Sequence, residues 1–218
     1  MTSYDELLAS GAYEENPEID AAPVKAFLSR WEKYSYFIER AQQRMYEAIA
    51  KRVQNLTVCD IGSGSGFGTL ILAQEAASVV GIEIVPDGTK FSQRCYPVKN
   101  INFICGDITE FHPSTQFDAA VAIELIEHIS DYHGALQAIA SLLNETGTLY
   151  ISSPNRNKES LGQTIPRNRH HVREWTIREF HEILSLYFNR VEFFDHNLES
   201  SLNLDSTLSP VIAICHKT

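Results

Sequence analysis

Apolar residues along this chain fall in short runs separated by amphipathic stretches. From about Pro23 to Arg52, the residues Phe27, Trp31, Tyr34, Ile38, Met45 and Ile49 recur at helical spacing, with Pro23 suited to a first turn. Apolar runs at 56–61, 78–84, 101–105, 117–123 and 147–153 read as buried strands. Amphipathic segments at 66–77, about 86–95 and 131–143 read as the intervening helices. After a loop over 154–175, a helix over about 176–187 precedes strands near 189–195 and 210–216. Thr176 and Glu179 form a Thr-x-x-Glu capping box that marks where that helix starts. Residues 1–22 are polar and acidic, broken at Asn16-Pro17, and read as a lid or a tail. No internal repeat is present. Strands alternating with helices predict an α/β fold with a parallel sheet covered on both faces.

One junction carries chemistry. The first strand feeds into Asp60-Ile61-Gly62-Ser63-Gly64-Ser65-Gly66-Phe67-Gly68, and a helix follows. Glycines at such a turn let the backbone approach a ligand closely, and the helix start offers unpaired N–H groups. The spacing is Asp-x-Gly-x-Gly-x-Gly. The third glycine of a dinucleotide fingerprint would fall on Phe67, so a pyrophosphate loop fits poorly. Glu83 closes the second strand, where a carboxylate is placed to accept from ribose hydroxyls. In an open sheet of this kind ligands lie beyond the C-terminal strand ends, which puts Asp60, Glu83, Asp107 and Glu124 on one rim.

Composition narrows the setting. The 218 residues suit one domain with a small cap, and a hydrophobic share of 44% supports a sizeable core. No apolar run approaches the length of a membrane span. Residues 1–10 lack the apolar stretch of a secretory signal. The four cysteines form no Cys-x-x-Cys pair; Cys59, Cys105 and Cys215 lie in apolar runs and read as buried thiols in a reducing, cytoplasmic setting. A net charge of −10 argues against a general nucleic-acid field. Yet Arg156, Lys158, Arg167, Arg169, Arg173 and Arg178 crowd one segment. They read either as a solvated face or as a rim for an anionic acceptor.

The glycine junction, Glu83, Gly106-Asp107-Ile108, the run from Phe117 to His128 and the run from Gly147 to Asn155 together resemble the class I S-adenosylmethionine-dependent methyltransferases, over roughly residues 30–195. The resemblance implies a Rossmann-like, doubly wound, mostly parallel seven-stranded sheet ending in a reversed hairpin. It also implies an N-terminal tail and helical cap over 1–52 and a methyltransferase domain over 53–218. The cofactor implied is S-adenosylmethionine. Asp60, Gly62 and Gly64 match the segment that holds its amino acid end. Glu83, with Ile84 beside it, matches the ribose acceptor, and Asp107 with Ile108 matches the adenine reader, Asp107 also reading as a helix cap. Glu124 lines the same cleft. Trp31 to Tyr36 resembles the helix that closes the pocket in many relatives, with Lys33 where arginine is frequent and Tyr34 or Tyr36 as lining candidates.

Beyond the cofactor stand two histidines. His128 ends Glu124-Leu125-Ile126-Glu127-His128, just past the fourth strand. His171 lies after the fifth, in Arg169-His170-His171-Val172-Arg173-Glu174-Trp175-Thr176, which resembles a segment of bacterial methyltransferases that modify sugars or natural products. Both are candidate catalytic residues, since a hydroxyl acceptor needs a base and histidine serves near neutrality. His171 also reads as packing on Trp175 or bonding a backbone carbonyl. Glu-x-x-Glu-His further resembles the ligand set of small-RNA 3′-terminal 2′-O-methyltransferases and a segment of ubiquinone-pathway O-methyltransferases. That resemblance makes Glu124, Glu127 and His128, completed by a later histidine, an alternative metal site for an ion such as Mg²⁺ or Mn²⁺; a helix-capping role is the third option. The favoured expectation is an enzyme without metal that methylates a hydroxyl or sugar oxygen of a small molecule. Metal-dependent RNA methylation and a non-catalytic cofactor-binding protein are the alternatives.

Overall fold

A computed structural model describes residues 36–156, 166 and 168–218, with side chains from Ala41 onward. The expected tail, the start of the first helix with Trp31 and Tyr34, and Lys158 and Arg167 of the basic segment lie outside the described residues, as does the Tyr36 side chain.

Helix α1 (Tyr36–Ala50) leads into β1 (Thr57–Ile61), α2 (Phe67–Leu72), β2 (Ser78–Glu83), α3 (Pro86–Cys95) and β3 (Ile101–Cys105). Then come β4 (Phe117–Ala122), α4 (Tyr132–Leu142), β5 (Leu143–Ser153), α5 (Ile177–Leu184), β6 (Arg190–Phe194), β7 (Ser201–Leu202) and β8 (Val211–His216). Single 3₁₀ turns at Ile108–Glu110 and Ile126–His128 follow β3 and β4. The sheet order is β3-β2-β1-β4-β5-β8-β6-β7. The first five strands in that order run parallel, and β8 lies antiparallel between β5 and β6. The expected reversed end is present. The sheet has eight strands rather than seven because Phe193 and Phe194 pair with the two-residue edge strand β7.

Alternation along the strands builds the two layers. Cys59, Ile61, Ala120, Ala122, Leu149 and Ile151 face a core shared with Leu136 and Ile139 of α4 and Phe180 and Leu184 of α5. Val58, Val79, Ala119, Val121 and Tyr150 face the opposite core, shared with Met45, Tyr46 and Ile49 of α1 and Ile71 and Leu72 of α2. Successive strand residues point to opposite faces, so a run buried on both sides must be apolar throughout.

Several elements differ in length from the pattern. Helix α2 stops at Leu72 because the next amides bond three residues back, Gln74 to Ile71 and Glu75 to Leu72, while Ala77 N donates to Leu56 O and starts the return to the sheet. Helix α5 ends the same way at Leu184, with Leu186 bonding Ile183 and Tyr187 bonding Leu184. Strand β5 begins earlier than its apolar run because Leu143 already pairs with Phe117. Cys105, expected to be buried, is exposed: it sits at the C-terminal end of β3, which is an edge strand.

The capping box forms as its spacing predicts. Thr176 Oγ1 accepts from Glu179 N, and Glu179 returns a carboxylate oxygen to Thr176 N. Arg156 Nη2 donates to both oxygens of that carboxyl, at 2.5 Å to Oε1 and 2.7 Å to Oε2, so Oε2 is shared with the cap. Thr176→Ala should destabilise the protein by about 0.5–2 kcal/mol, read as a lower midpoint with unchanged slope in denaturant unfolding. Loss below this range would show that Arg156 holds Glu179 without the cap.

Candidate functional site

The glycine junction is shaped by three backbone positions in the left-handed region: Gly62 at φ 71°, Gly64 at 55° and Gly66 at 84°. They have different reasons to lack a side chain. A Cβ on Gly62 would lie 2.7 Å from Leu125, and one on Gly66 2.8 Å from Ser92. A Cβ on Gly64 would point into open space, meeting only the Gly62 carbonyl at 4.0 Å. Gly62 and Gly66 are therefore constrained by packing, whereas Gly64 leaves a cradle open to a ligand.

Glu83 holds that cradle. Its two carboxylate oxygens accept from Gly64 N at 2.9 Å and Val85 N at 2.8 Å. Each oxygen has a second lone pair, so the group can still accept from a ribose. Beside it Ile84 and Val85 are exposed, at 61% and 53%; such apolar exposure at a strand end is what a flat ring would cover. Asp107 caps the following 3₁₀ turn, taking Thr109 N and Thr109 Oγ1 on Oδ1 at 2.9 and 2.8 Å, and Ile108 is buried behind it. Both roles read for Asp107 from the sequence, cap and rim acceptor, are compatible with that geometry. Asp60 sits differently. It is wholly buried, and its oxygens accept from Tyr46 Oη at 3.0 Å and Thr69 Oγ1 at 2.6 Å. Burial pushes its carboxyl up to about 6, against the pull of the two hydroxyls, with a further rise from Glu83. It lies beneath the loop and not on its surface. The open cradle, the exposed apolar pair and the acidic strand end together fit S-adenosylmethionine.

Past β4 the chain turns sharply. Glu124 adopts φ 50°, a left-handed conformation that costs a non-glycine residue roughly 1–2 kcal/mol. Ser152 on β5 holds it there, accepting from Glu124 N at 2.8 Å and donating to Glu124 Oε1 at 2.7 Å. The following 3₁₀ turn buries Glu127, at 1% exposure, and neither of its carboxylate oxygens has a partner among the described residues. Burial, the neighbouring Glu124 and then Glu174 hold its carboxyl far above the ordinary range; burial and Glu174 raise Glu124 as well, against the Ser152 hydrogen bond.

The loop after β5 closes on this turn. Val172 N and Arg173 N both donate to the Glu127 carbonyl, at 2.8 and 3.3 Å. His128 Nδ1 donates to His170 O at 2.9 Å, since a carbonyl only accepts. His171 Nδ1 pairs with Glu174 at 2.6 Å, with side-chain exposures of only 10% and 15%. His170 N donates to Asn168 Oδ1, which turns the Asn168 amide nitrogen toward His171 Nε2 at 2.8 Å. In both histidines Nδ1 is engaged by an oxygen acceptor, which leaves Nε2 as the other ring nitrogen for a further partner. Their rings meet edge to face at 4.8 Å. Ligand atoms of Glu127, His128 and His171 all lie within 4.8 Å of one another. An oxygen-and-nitrogen set of this size fits a divalent cation.

The two histidines and Glu127 thus come together, and His171 pairs with Glu174 rather than packing on Trp175, which stacks on Phe180. The basic segment is partly spent. Arg156 is paired with Glu179, Arg178 with Asp205, and Arg173 lies over the Tyr132 ring and donates to its hydroxyl. Tyr46, Thr69, Ser152 and Asn168 were not legible as site residues: the first three act through a partner on another element, which residue spacing does not reveal, and Asn168 acts only through the turn of its own loop.

Comparison with known proteins identifies the family. A family model described as a methyltransferase domain matches residues 30–190. The chain belongs to that family, and its fold is that of the class I S-adenosylmethionine-dependent methyltransferases. A ubiquinone biosynthesis O-methyltransferase of Rhodopseudomonas palustris is 30% identical over 153 residues, which cover 67% of this chain and 59% of that relative. The chain therefore spans less than two thirds of that protein's length. Among solved structures, the N-methyltransferase NodS of Bradyrhizobium japonicum, in complex with S-adenosylhomocysteine, superposes with a TM-score of 0.60 at 16% identity, over 99% of this chain and 98% of that one. The small RNA methyltransferase HEN1 gives a TM-score of 0.66 at 22% identity, over 84% of this chain and 26% of that one. These two likenesses show the fold. Among the described residues no helix is long and apolar enough to cross a membrane.

The raised carboxyls have a consequence for stability. Glu124 and Glu127 hold their protons more tightly folded than unfolded, so their contribution is greatest in acid and is lost as pH rises from the ordinary carboxylate range through their raised values. Glu127→Gln should flatten that fall and stabilise the protein at pH 8 by about 1–4 kcal/mol, measured by denaturant unfolding in the presence of a chelator. Equal pH slopes in both proteins would mean Glu127 is ionised when folded.

Proposed function

We propose that this protein transfers a methyl group from S-adenosylmethionine to a hydroxyl oxygen of a small-molecule acceptor, with His128 and His171 facing that acceptor. The observation that carries the reading is that His128, on the turn after β4, and His171, on the loop after β5, meet with their rings 4.8 Å apart, past the strand ends of the rim that also carries the glycine loop. When bound, the cofactor supplies an electrophilic methyl group. Glu83 and the Gly62–Gly64 backbone orient it, Ile84 and Ile108 pack its flat ring, and Asp107 and Glu124 stand at its polar edges. His128 is the better base of the pair, because Asn168 donates to the His171 lone pair whereas His128 Nε2 is the ring nitrogen left to take the hydroxyl proton. His171, fixed by Glu174, then orients the acceptor. An oxygen acceptor agrees with the O-methyltransferase relative.

A second reading has its own support. A buried carboxylate with two unpartnered oxygens, next to two further carboxyls and two histidines, lacks a balancing cation. Glu127, His128 and His171, with Glu124 adjacent, would hold a divalent ion that lowers the pKa of an acceptor hydroxyl. Nucleic acid as the acceptor has less in its favour, given the net charge of −10.

Glu83→Ala should weaken S-adenosylhomocysteine binding by about 1.5–3 kcal/mol in calorimetry; unchanged affinity would place the ribose elsewhere. His128→Ala should lower turnover about 10²–10⁴-fold with cofactor affinity within twofold, assayed as S-adenosylhomocysteine release with small phenolic and sugar acceptors. Full activity after chelation supports the base. Activity lost on chelation and restored by Mn²⁺ or Mg²⁺ transfers His128 to the metal reading.

A further inference from the structure

Asp60 presents an unusual arrangement. It lies near the centre of the sheet, paired in register with Gly81 of β2 and Val121 of β4. Its side chain enters the face packed by α1 and α2, where Tyr46 and Thr69 meet it. A carboxylate there would normally be replaced by an apolar residue, because two neutral hydroxyls compensate a buried charge poorly. Yet the surroundings are built to receive it. The Tyr46 ring fills the place a Cβ on Gly68 would take, at 2.2 Å, and Thr69 Oγ1 lies 3.0 Å from where a Cβ on Gly81 would stand. Tyr46 also packs edge-on against Phe67, at 5.5 Å between centroids. Two glycines and a ring contact thus set the two hydroxyls that meet Asp60.

We propose that Tyr46 and Thr69 are positioning residues for the cofactor: their hydroxyls hold Asp60 as a carboxylate directly beneath the glycine loop. This rests on the cofactor reading above and adds α1 to the machinery that serves it. The carboxylate puts a negative charge under a loop whose ligand carries an ammonium group, in surroundings that screen it little. The same carboxylate fixes α1 and the first turn of α2 against the strand from which the loop departs. The titratable groups that act on Asp60 are Tyr46 from α1 and Glu83 from β2, Cys59 of its own strand pointing to the other face of the sheet; burial and Glu83 oppose the ionised form, and the hydroxyls of Thr69 and Tyr46 favour it.

Calorimetric titration with S-adenosylhomocysteine from pH 5 to 8.5 tests this on the whole chain. Wild-type affinity should fall as pH drops through about 6. Tyr46→Phe and Thr69→Val each remove one donor. Each should weaken binding about tenfold at pH 7 and move the fall to higher pH, because Asp60 then protonates more readily. Thr69→Ser keeps the hydroxyl and should stay within about twofold of wild type. Ile139→Val, in the core across the sheet, serves as a control of lowered thermal stability and should leave affinity unchanged. Affinities of Tyr46→Phe and Thr69→Val within twofold of wild type would overturn the proposal, as would an equal loss in Ile139→Val. Wild type that binds no S-adenosylhomocysteine at any pH would overturn the cofactor reading itself and this inference with it.

Discussion

In a parallel sheet every strand ends on the same rim, and the backbone groups left there must find partners in the loops that follow. Here that requirement organises the site. Gly62 N and Ser63 N turn back to Ile82 O on the neighbouring strand, and Gly64 N donates to Glu83. Gly106 N donates to the Glu83 carbonyl, which links the third strand end to the second. Glu124 N goes to Ser152. Each loop is thus anchored on the strand beside its own. The rim is hydrogen-bonded in two stretches, β1 to β3 and β4 to β5, with acidic side chains spaced along it.

Spacing is what keeps those carboxylates tolerable. Glu83 and Asp107 spend their charge on backbone N–H groups of their own turns. Asp60 accepts from the hydroxyls of Tyr46 and Thr69. Glu124, Glu127 and Glu174 have fewer donors, and they cluster where the two histidines stand. The molecule therefore has one rim region where charge is satisfied by the fold and another where it is left for a ligand, a proton or an ion to settle. Stability is sacrificed at the second, as the strained backbone of Glu124 also indicates.

Much of this was legible beforehand because strand and helix periods differ and the glycines mark the switch between them. Strand positions, the placement of α3 and the Thr176 cap followed directly. Helix ends did not, since the final turns of α2 and α5 tighten for reasons that lie in the next element. Cys105 looked buried from its apolar neighbours, but edge position depends on sheet order. His128 and His171 could be assigned to one rim by topology; that Nδ1 of each is engaged depends on His170 and Glu174, whose orientation only the folded loop defines. Nothing in the helical spacing singles out Tyr46. Its hydroxyl matters only because α1 lies across the end of β1.

The two amides that bond the Glu127 carbonyl bear on how the site opens. They join the turn after β4 to the loop after β5 through a single acceptor atom. Neither segment can swing outward alone without leaving that carbonyl, which is close to a wholly buried side chain, short of donors. Exchange of the Val172 amide with solvent and exposure of the Glu127 carbonyl to water are therefore two faces of one local opening.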